Sequence, residues 1–272
     1  MEINLQKISG LPIVFDEKNL TLEFRSDFPF IKKSERTLKE LQPYLKNPEN
    51  VGNVGNRASN NSIVYYVWRY VHLKNDAEKI KAADLRYDLT LIPPGKICPV
   101  RNNVSNGVGC EFAKTAGHFH KNKIGINLPY PEIYEVLSGR AYFLIQSPDK
   151  DTKNIKAVRL IEAGPGERVL VPPEFSGHTT INVFNEPLIM ANWISDKAEY
   201  DYDSYRNNHG ACYYFLGNGG LIDIVKNPNY NSVSEIKKIR AKKDSLPLYG
   251  LVNNLDKLRF LNYPEEFAAL GW

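Results

Sequence analysis

From Ile63 onward the chain repeats one texture: short runs of β-branched and aromatic residues broken by turn formers. The runs include IVYYVWRYVHL, YDLTLIP, IYEVL, RAYFLIQ, IKAVRLIE, RVLVPP, HTTINVF and EPLIMANW. Several such segments at spacings near ten residues predict an all-β sandwich or barrel. Ser138-Gly139, Gly164-Pro165-Gly166 and Asn185-Glu186 before Pro187 supply residues that tolerate tight turns, so successive antiparallel strands are expected across them. Upstream, an extended arm is expected to lead into one helix capped by Ser34, with Leu38 and Leu41 three apart. A polar loop from Asn47 to Asn61 follows. Downstream, a strand pair is expected around Gly217-Asn218-Gly219-Gly220. The runs from Glu235 to Ile239 and Pro264 to Leu270 predict short helices on the outside. The expected domains are therefore an N-terminal arm and helix (1–60), a barrel (61–232) and a C-terminal helical extension packed on it (233–272).

Within a strand, residues i and i+2 share a face. In EIYEVLSG this puts Glu132, Tyr134 and Val136 on one face and Ile133, Glu135 and Leu137 on the other, and Glu135 is expected to be a solvated rim carboxylate. His118 and His120 can likewise project together. His178 opens a strand whose Thr180 and Asn182 share its face. His118, His120, Glu132 and His178 could offer three neutral imidazoles and a carboxylate to one divalent metal, with Fe, Mn, Ni and Zn all suited. His72 and His209 are read as satisfied structural histidines. The basic run from Lys237 to Lys243 is read as the solvated face of a short helix.

Composition narrows the classes. The chain has 272 residues, 42% hydrophobic and 24% charged, with 35 basic and 31 acidic side chains. That is an ordinary globular balance without a broad single-sign field, so neither nucleic acid nor a membrane is expected as partner. Cys98, Cys110 and Cys212 show no CxxC spacing and are expected to be free core thiols in a reducing compartment. No leader or membrane-length apolar run is evident, and a cytoplasmic location is expected.

The order GHFH, Glu132 with six residues to Gly139, a Pro-rich turn and GHTTIN resembles the two signature motifs of the cupin superfamily. The runs YDLTLIPPGK, KTAGHFH, PEIYEVLSGRAYFLIQ and PGERVLVPPEFSGHTTINVFNEPL are similar, more narrowly, to the cupin-type glucose-6-phosphate isomerases known chiefly from archaea. The likeness covers roughly residues 60 to 230. It implies a cupin jelly-roll (double-stranded β-helix) barrel and a divalent metal held by His118, His120, Glu132 and His178. It also implies a phosphate site at Tyr65, Thr90, Thr115 and Gly117, reversible conversion of glucose 6-phosphate to fructose 6-phosphate, and a homodimer. The residue types agree: hydroxyls and a glycine N–H are neutral donors to a phosphate, and Lys96 or Lys114 could add charge. Glu132 and Tyr134 are the catalytic candidates, although a ligated carboxylate is a weakened base. Two features depart from the family. Residues 121–131 form a longer insertion, expected over the barrel mouth, and the segment after the last barrel strand offers Trp193 and Tyr200 but no histidine before His209. The competing readings are an Fe(II) cupin dioxygenase and a sugar-binding barrel without turnover.

Overall fold

A computed structural model describes residues 1–25, 27–29, 31–54, 61–99 and 108–270. Two large sheets face each other in a jelly-roll barrel. In the seven-stranded sheet the strands run in the order Lys242–Lys243, Glu167–Val171, Glu132–Ser138, Leu188–Ser195, Leu85–Ile92, Ile63–Arg69 and Lys32–Thr37. The central path of the opposing sheet runs through Tyr213–Asn218, Glu111–Lys114, Gly177–Asn182, Ala141–Pro148 and Asn154–Ala163. His118–His120 pairs beside Gly177–Asn182.

The three turns read as hairpin links are instead corners that carry the chain from one sheet to the other. Glu132–Ser138 pairs with Glu167–Val171 and Leu188–Ser195, whereas Ala141–Pro148 pairs with Asn154–Ala163 and Gly177–Asn182. Gly139 explains why one corner is so tight. Its φ is +73°, and a Cβ there would lie 2.3 Å from the Pro187 carbonyl oxygen, so two corners press backbone to backbone.

Alternation along the strands produces two cores. Tyr134, Val136, Phe143 and Met190 fill the space between the sheets. Ile133, Leu137, Tyr87 and Trp193 face outward into a second core, closed by an N-terminal sheet of Glu2–Asn4, Ile13–Asp16 and Thr21–Phe24 and by C-terminal 3-10 segments. Trp193 is fully buried there and its indole N–H donates to the Leu248 carbonyl at 3.0 Å. Burying each large side chain of this kind contributes about 1.5–3 kcal/mol, so the terminal segments are part of the barrel's stability.

Several local expectations change. The helix placed after Ser34 begins three residues later: Lys32–Thr37 is a strand on Ile63–Arg69, and Thr37 caps a single turn, Leu38–Leu41, in a capping box with Glu40. The loop after Asn47 contains a 3-10 turn and the strand Val51–Val54; residues 55–60 lie outside the described residues. Ile236–Arg240 is a strand, parallel to Asn154–Ala163, because an open sheet edge supplies hydrogen-bond partners that outweigh the helical preference of a lysine-rich run. Pro264–Leu270 is a 3-10 helix, and Tyr213–Asn218 pairs with Leu221–Lys226 as read. Cys98 and Cys110 are joined in a disulfide, which corrects the expectation of free thiols and removes the cysteine argument for a reducing compartment; Cys212 is free and buried. Among the described residues no helix is long and apolar enough to cross a membrane.

Candidate metal centre and substrate cavity

Register brings the histidines together. His118 lies directly across from His178 in the antiparallel pair, and His120, two residues on, shares the face of His118. Glu132 arrives from the opposing sheet. The ligand-type atoms of His118, His120, Glu132 and His178 all lie within 4.8 Å of one another. Glu132 Oε2 is 3.2 Å from His120 Nε2 and 3.4 Å from His178 Nε2.

Two of the four groups are aimed by a hydrogen-bonding neighbour. His120 Nδ1 lies 2.6 Å from the Tyr130 carbonyl, which fixes the proton on that nitrogen and turns the bare Nε2 lone pair inward. Asn192 donates its amide to Glu132 Oε1 at 2.7 Å and leaves Oε2 facing the imidazoles. Tyr200 lies across from His120 in the next strand pairing, its ring centroid 4.5 Å from that of His118, and its hydroxyl accepts from Arg86 at 2.8 Å.

His118 Nε2, His120 Nε2 and Glu132 Oε2 are buried and have no hydrogen-bond partner. Buried polar atoms are almost always paired, so three orphans converging at one point fit a cation. Electrostatics agree with that role. Burial, reinforced by the neighbouring imidazoles, holds His118 well below the ordinary histidine value, and burial takes His178 down to about 4. Burial works to raise Glu132, but the flanking His120 and His178 rings hold it below the usual carboxylate range. Neutral imidazoles beside a carboxylate are the protonation states that metal binding requires.

Beside this cluster opens a cleft. Tyr65, Thr90, Thr115 and Gly117 all line it, as do His118, Glu132, Tyr134 and His178. The Thr115 hydroxyl accepts the Thr180 N–H at 3.0 Å, and the Tyr65 phenol accepts the Ala116 N–H at 3.5 Å. Gly117 has a structural reason as well: its φ is +74° and a Cβ would come 2.4 Å from the Tyr205 ring. The Tyr134 hydroxyl lies 2.9 Å from His178 Nε2; burial, then the adjacent Glu132, raise it well above the ordinary phenol value.

Other sequence candidates go elsewhere. Lys114 is bound to Glu111 at 2.5 Å and Lys96 lies over the Phe112 ring, and neither lines the cleft. Trp193 belongs to the outer core. Glu135, read as a rim carboxylate, is 1% exposed; it accepts the Leu248 N–H at 2.8 Å. His72 and His209 are each satisfied by a backbone carbonyl. The 121–131 insertion does not line the cleft either: Lys123 pairs with Glu265 at 3.0 Å, and Tyr130 buttresses His120.

Sequence reasoning missed Ser34, Arg36, Arg69, Asp88, Asn192 and Tyr202, all of which line the cleft. Period-two alternation from Tyr65 to Arg69 and from Asp88 to Thr90 was the available signal. Arg36 was hidden by its assignment to a helix.

With this geometry in view, the family described as glucose-6-phosphate isomerase (GPI) matches residues 35–233. The chain belongs to that family. Among curated relatives, the glucose-6-phosphate isomerase of Thermococcus kodakarensis is 29% identical over 202 residues, 74% of this chain and 89% of the relative. That of Pyrococcus furiosus is 29% identical over 205 residues, 73% and 88% of the two chains. A protein named putative glucose-6-phosphate isomerase 1 from Rhizobium meliloti is 27% identical over 151 residues, 55% and 60%. Among solved structures, oxalate decarboxylase from Bacillus subtilis aligns over 48% of this chain and 25% of its own at 19% identity, with a TM-score of 0.31. The match over residues 35–233 takes in the GHFH and GHTTIN segments, so the family likeness and the site occupy one stretch of chain.

Proposed function

We propose that this protein interconverts glucose 6-phosphate and fructose 6-phosphate with a divalent metal held by His118, His120, Glu132 and His178. The observation that carries the reading is the convergence of three unpartnered buried ligand atoms beside a hydroxyl-lined cleft, in a chain that belongs to the isomerase family. Fe, Mn, Ni and Zn all match three imidazoles and one carboxylate. Bound there, the ion would supply Lewis acidity to the sugar's carbonyl and neighbouring hydroxyl.

The chain's own residues do the rest. Tyr65, Thr90, Thr115 and the Gly117 N–H would receive the phosphate and hold the sugar with C1 and C2 toward the cluster. Tyr134, kept protonated by burial, carries a hydroxyl able to donate to a developing oxyanion or to shift a proton between the two sugar oxygens. Glu132 is ionised, but with Oε1 held by Asn192 and Oε2 turned to the imidazoles it serves as a ligand first and would be only a weakened base for a proton from carbon. A homodimer and a cytoplasmic location belong to the same proposal; sedimentation of the purified protein tests the first.

Incubation with glucose 6-phosphate, with and without a chelator, followed by assay of fructose 6-phosphate, tests the function. Turnover that the chelator abolishes and added Mn(II) or Fe(II) restores is expected. Absence of turnover under every metal would overturn the proposal, and turnover indifferent to the chelator would remove the metal from it.

A further inference from the structure

Resting on the phosphosugar reading, we propose that Arg36 is the charged member of the phosphate site and sets affinity for the phosphorylated substrate. Tyr65, Thr90, Thr115 and Gly117 are neutral donors. A phosphate carries about two negative charges near pH 7, and partial burial of that charge calls for a cation. Arg36 and Arg69 are the basic side chains lining the cleft. Arg69 is committed: it pairs at 3.2 Å with Asp88, a buried carboxylate that Arg86 also holds at 2.9 Å.

Arg36 is differently placed. It lies directly across from Tyr65 in the antiparallel pairing, on the same strand face as Ser34, and is in electrostatic contact with the Tyr65 phenol. Its ionic partner, Glu40, is 3.5 Å away, and both side chains are more than a third exposed, so the pair is weak and readily exchanged for a stronger one. The adjacent Glu35, which also lines the cleft, is paired with Lys33 at 3.0 Å in an equally exposed ion pair. A planar guanidinium can grip two phosphate oxygens at once, which a point-charge lysine does not do.

Strand order sets Arg36 apart from the cluster. Glu132 lies on one strand of the seven-stranded sheet, and Arg36 lies on the outermost strand at the far side, beyond Leu188–Ser195, Leu85–Ile92 and Ile63–Arg69. The metal-type cluster and the guanidinium thus come from separate strands that line one cleft.

The test measures kcat and KM for glucose 6-phosphate, competitive inhibition by inorganic phosphate, and direct calorimetric binding of inorganic phosphate to the metal-loaded protein. It compares wild type, Arg36→Gln, Arg36→Lys and Glu40→Gln. Arg36→Gln is expected to raise KM and the phosphate dissociation constant together by roughly tenfold to a hundredfold, with kcat changed less than threefold. Arg36→Lys should recover part of the loss. Glu40→Gln, which retains a capping-box side chain, should leave phosphate binding equal or tighter. Unchanged KM and phosphate binding in a well-folded Arg36→Gln variant would overturn the inference, as would a loss confined to kcat. The calorimetric arm separates the two proposals: a wild type without turnover defeats the isomerase reading, whereas phosphate binding indifferent to Arg36 defeats this one alone.

Discussion

The Asn192 amide and the Glu132 carboxylate meet at 2.7 Å across adjacent strands of the seven-stranded sheet, and this contact decides which carboxylate oxygen faces the three imidazoles. Asn192→Leu removes the donor while keeping comparable bulk. Losing an outer hydrogen bond to a metal ligand typically costs tenfold to a hundredfold in metal affinity. Mn(II) titration by calorimetry should show a weakening of roughly that size, and unaltered affinity would mean that Glu132 orients itself.

Tyr134→Phe deletes one hydroxyl, 2.9 Å from His178 Nε2, and leaves the ring in the inter-sheet core. If the phenol moves or donates a proton, kcat should fall by roughly 10²–10⁴ with metal content unchanged. Steady-state kinetics beside metal analysis checks this; a fall that follows lost metal would assign Tyr134 to structure.

Gly117→Ala places a methyl 2.4 Å from the buried Tyr205 ring at a backbone φ of +74°. Overpacking and strain of this kind cost about 1–3 kcal/mol. Denaturant unfolding should register the loss. Activity should fall further than stability does, because the same residue joins Thr115 to His118.

Burial pushes the Glu135 carboxyl up to about 7, partly offset by the Leu248 N–H and the Arg168 charge. A carboxyl with a folded value above its ordinary 4.5 favours the native state while protonated. That contribution is complete at low pH and is lost as pH rises from about 4.5 to 7, by up to about 3 kcal/mol. Glu135→Gln cannot ionise. Its stability relative to wild type should therefore improve steadily from pH 5 to 7 and level off above, read from unfolding curves at each pH. A difference independent of pH would show that the wild-type carboxyl ionises freely in the fold.

The barrel strands were legible because they carry their own alternation. Glu132, Tyr134 and Val136 face inward and Ile133, Glu135 and Leu137 face outward, as period two requires. The same rule placed His118 with His120 and, with the family likeness, pointed to the residues that line the cleft. What stayed hidden depends on long-range pairing. Nothing local states that Ile236–Arg240 will find an open sheet edge, or that Gly139 turns between sheets instead of between neighbours. Arg36 was lost for a related reason: the capping box belongs to Thr37 and Glu40, and a helix begun at Ser34 erases the strand that carries the guanidinium. Glu135 was misjudged because the chain that covers it, around Leu248, lies 113 residues away.

The cluster draws its imidazoles from one sheet and its carboxylate from the other. An ion seated there would act as a rivet through the sandwich. Loading it should slow amide exchange on the Glu132 and His178 strands in step, and any breathing that parts the two layers would pull the coordination sphere open before either layer came apart.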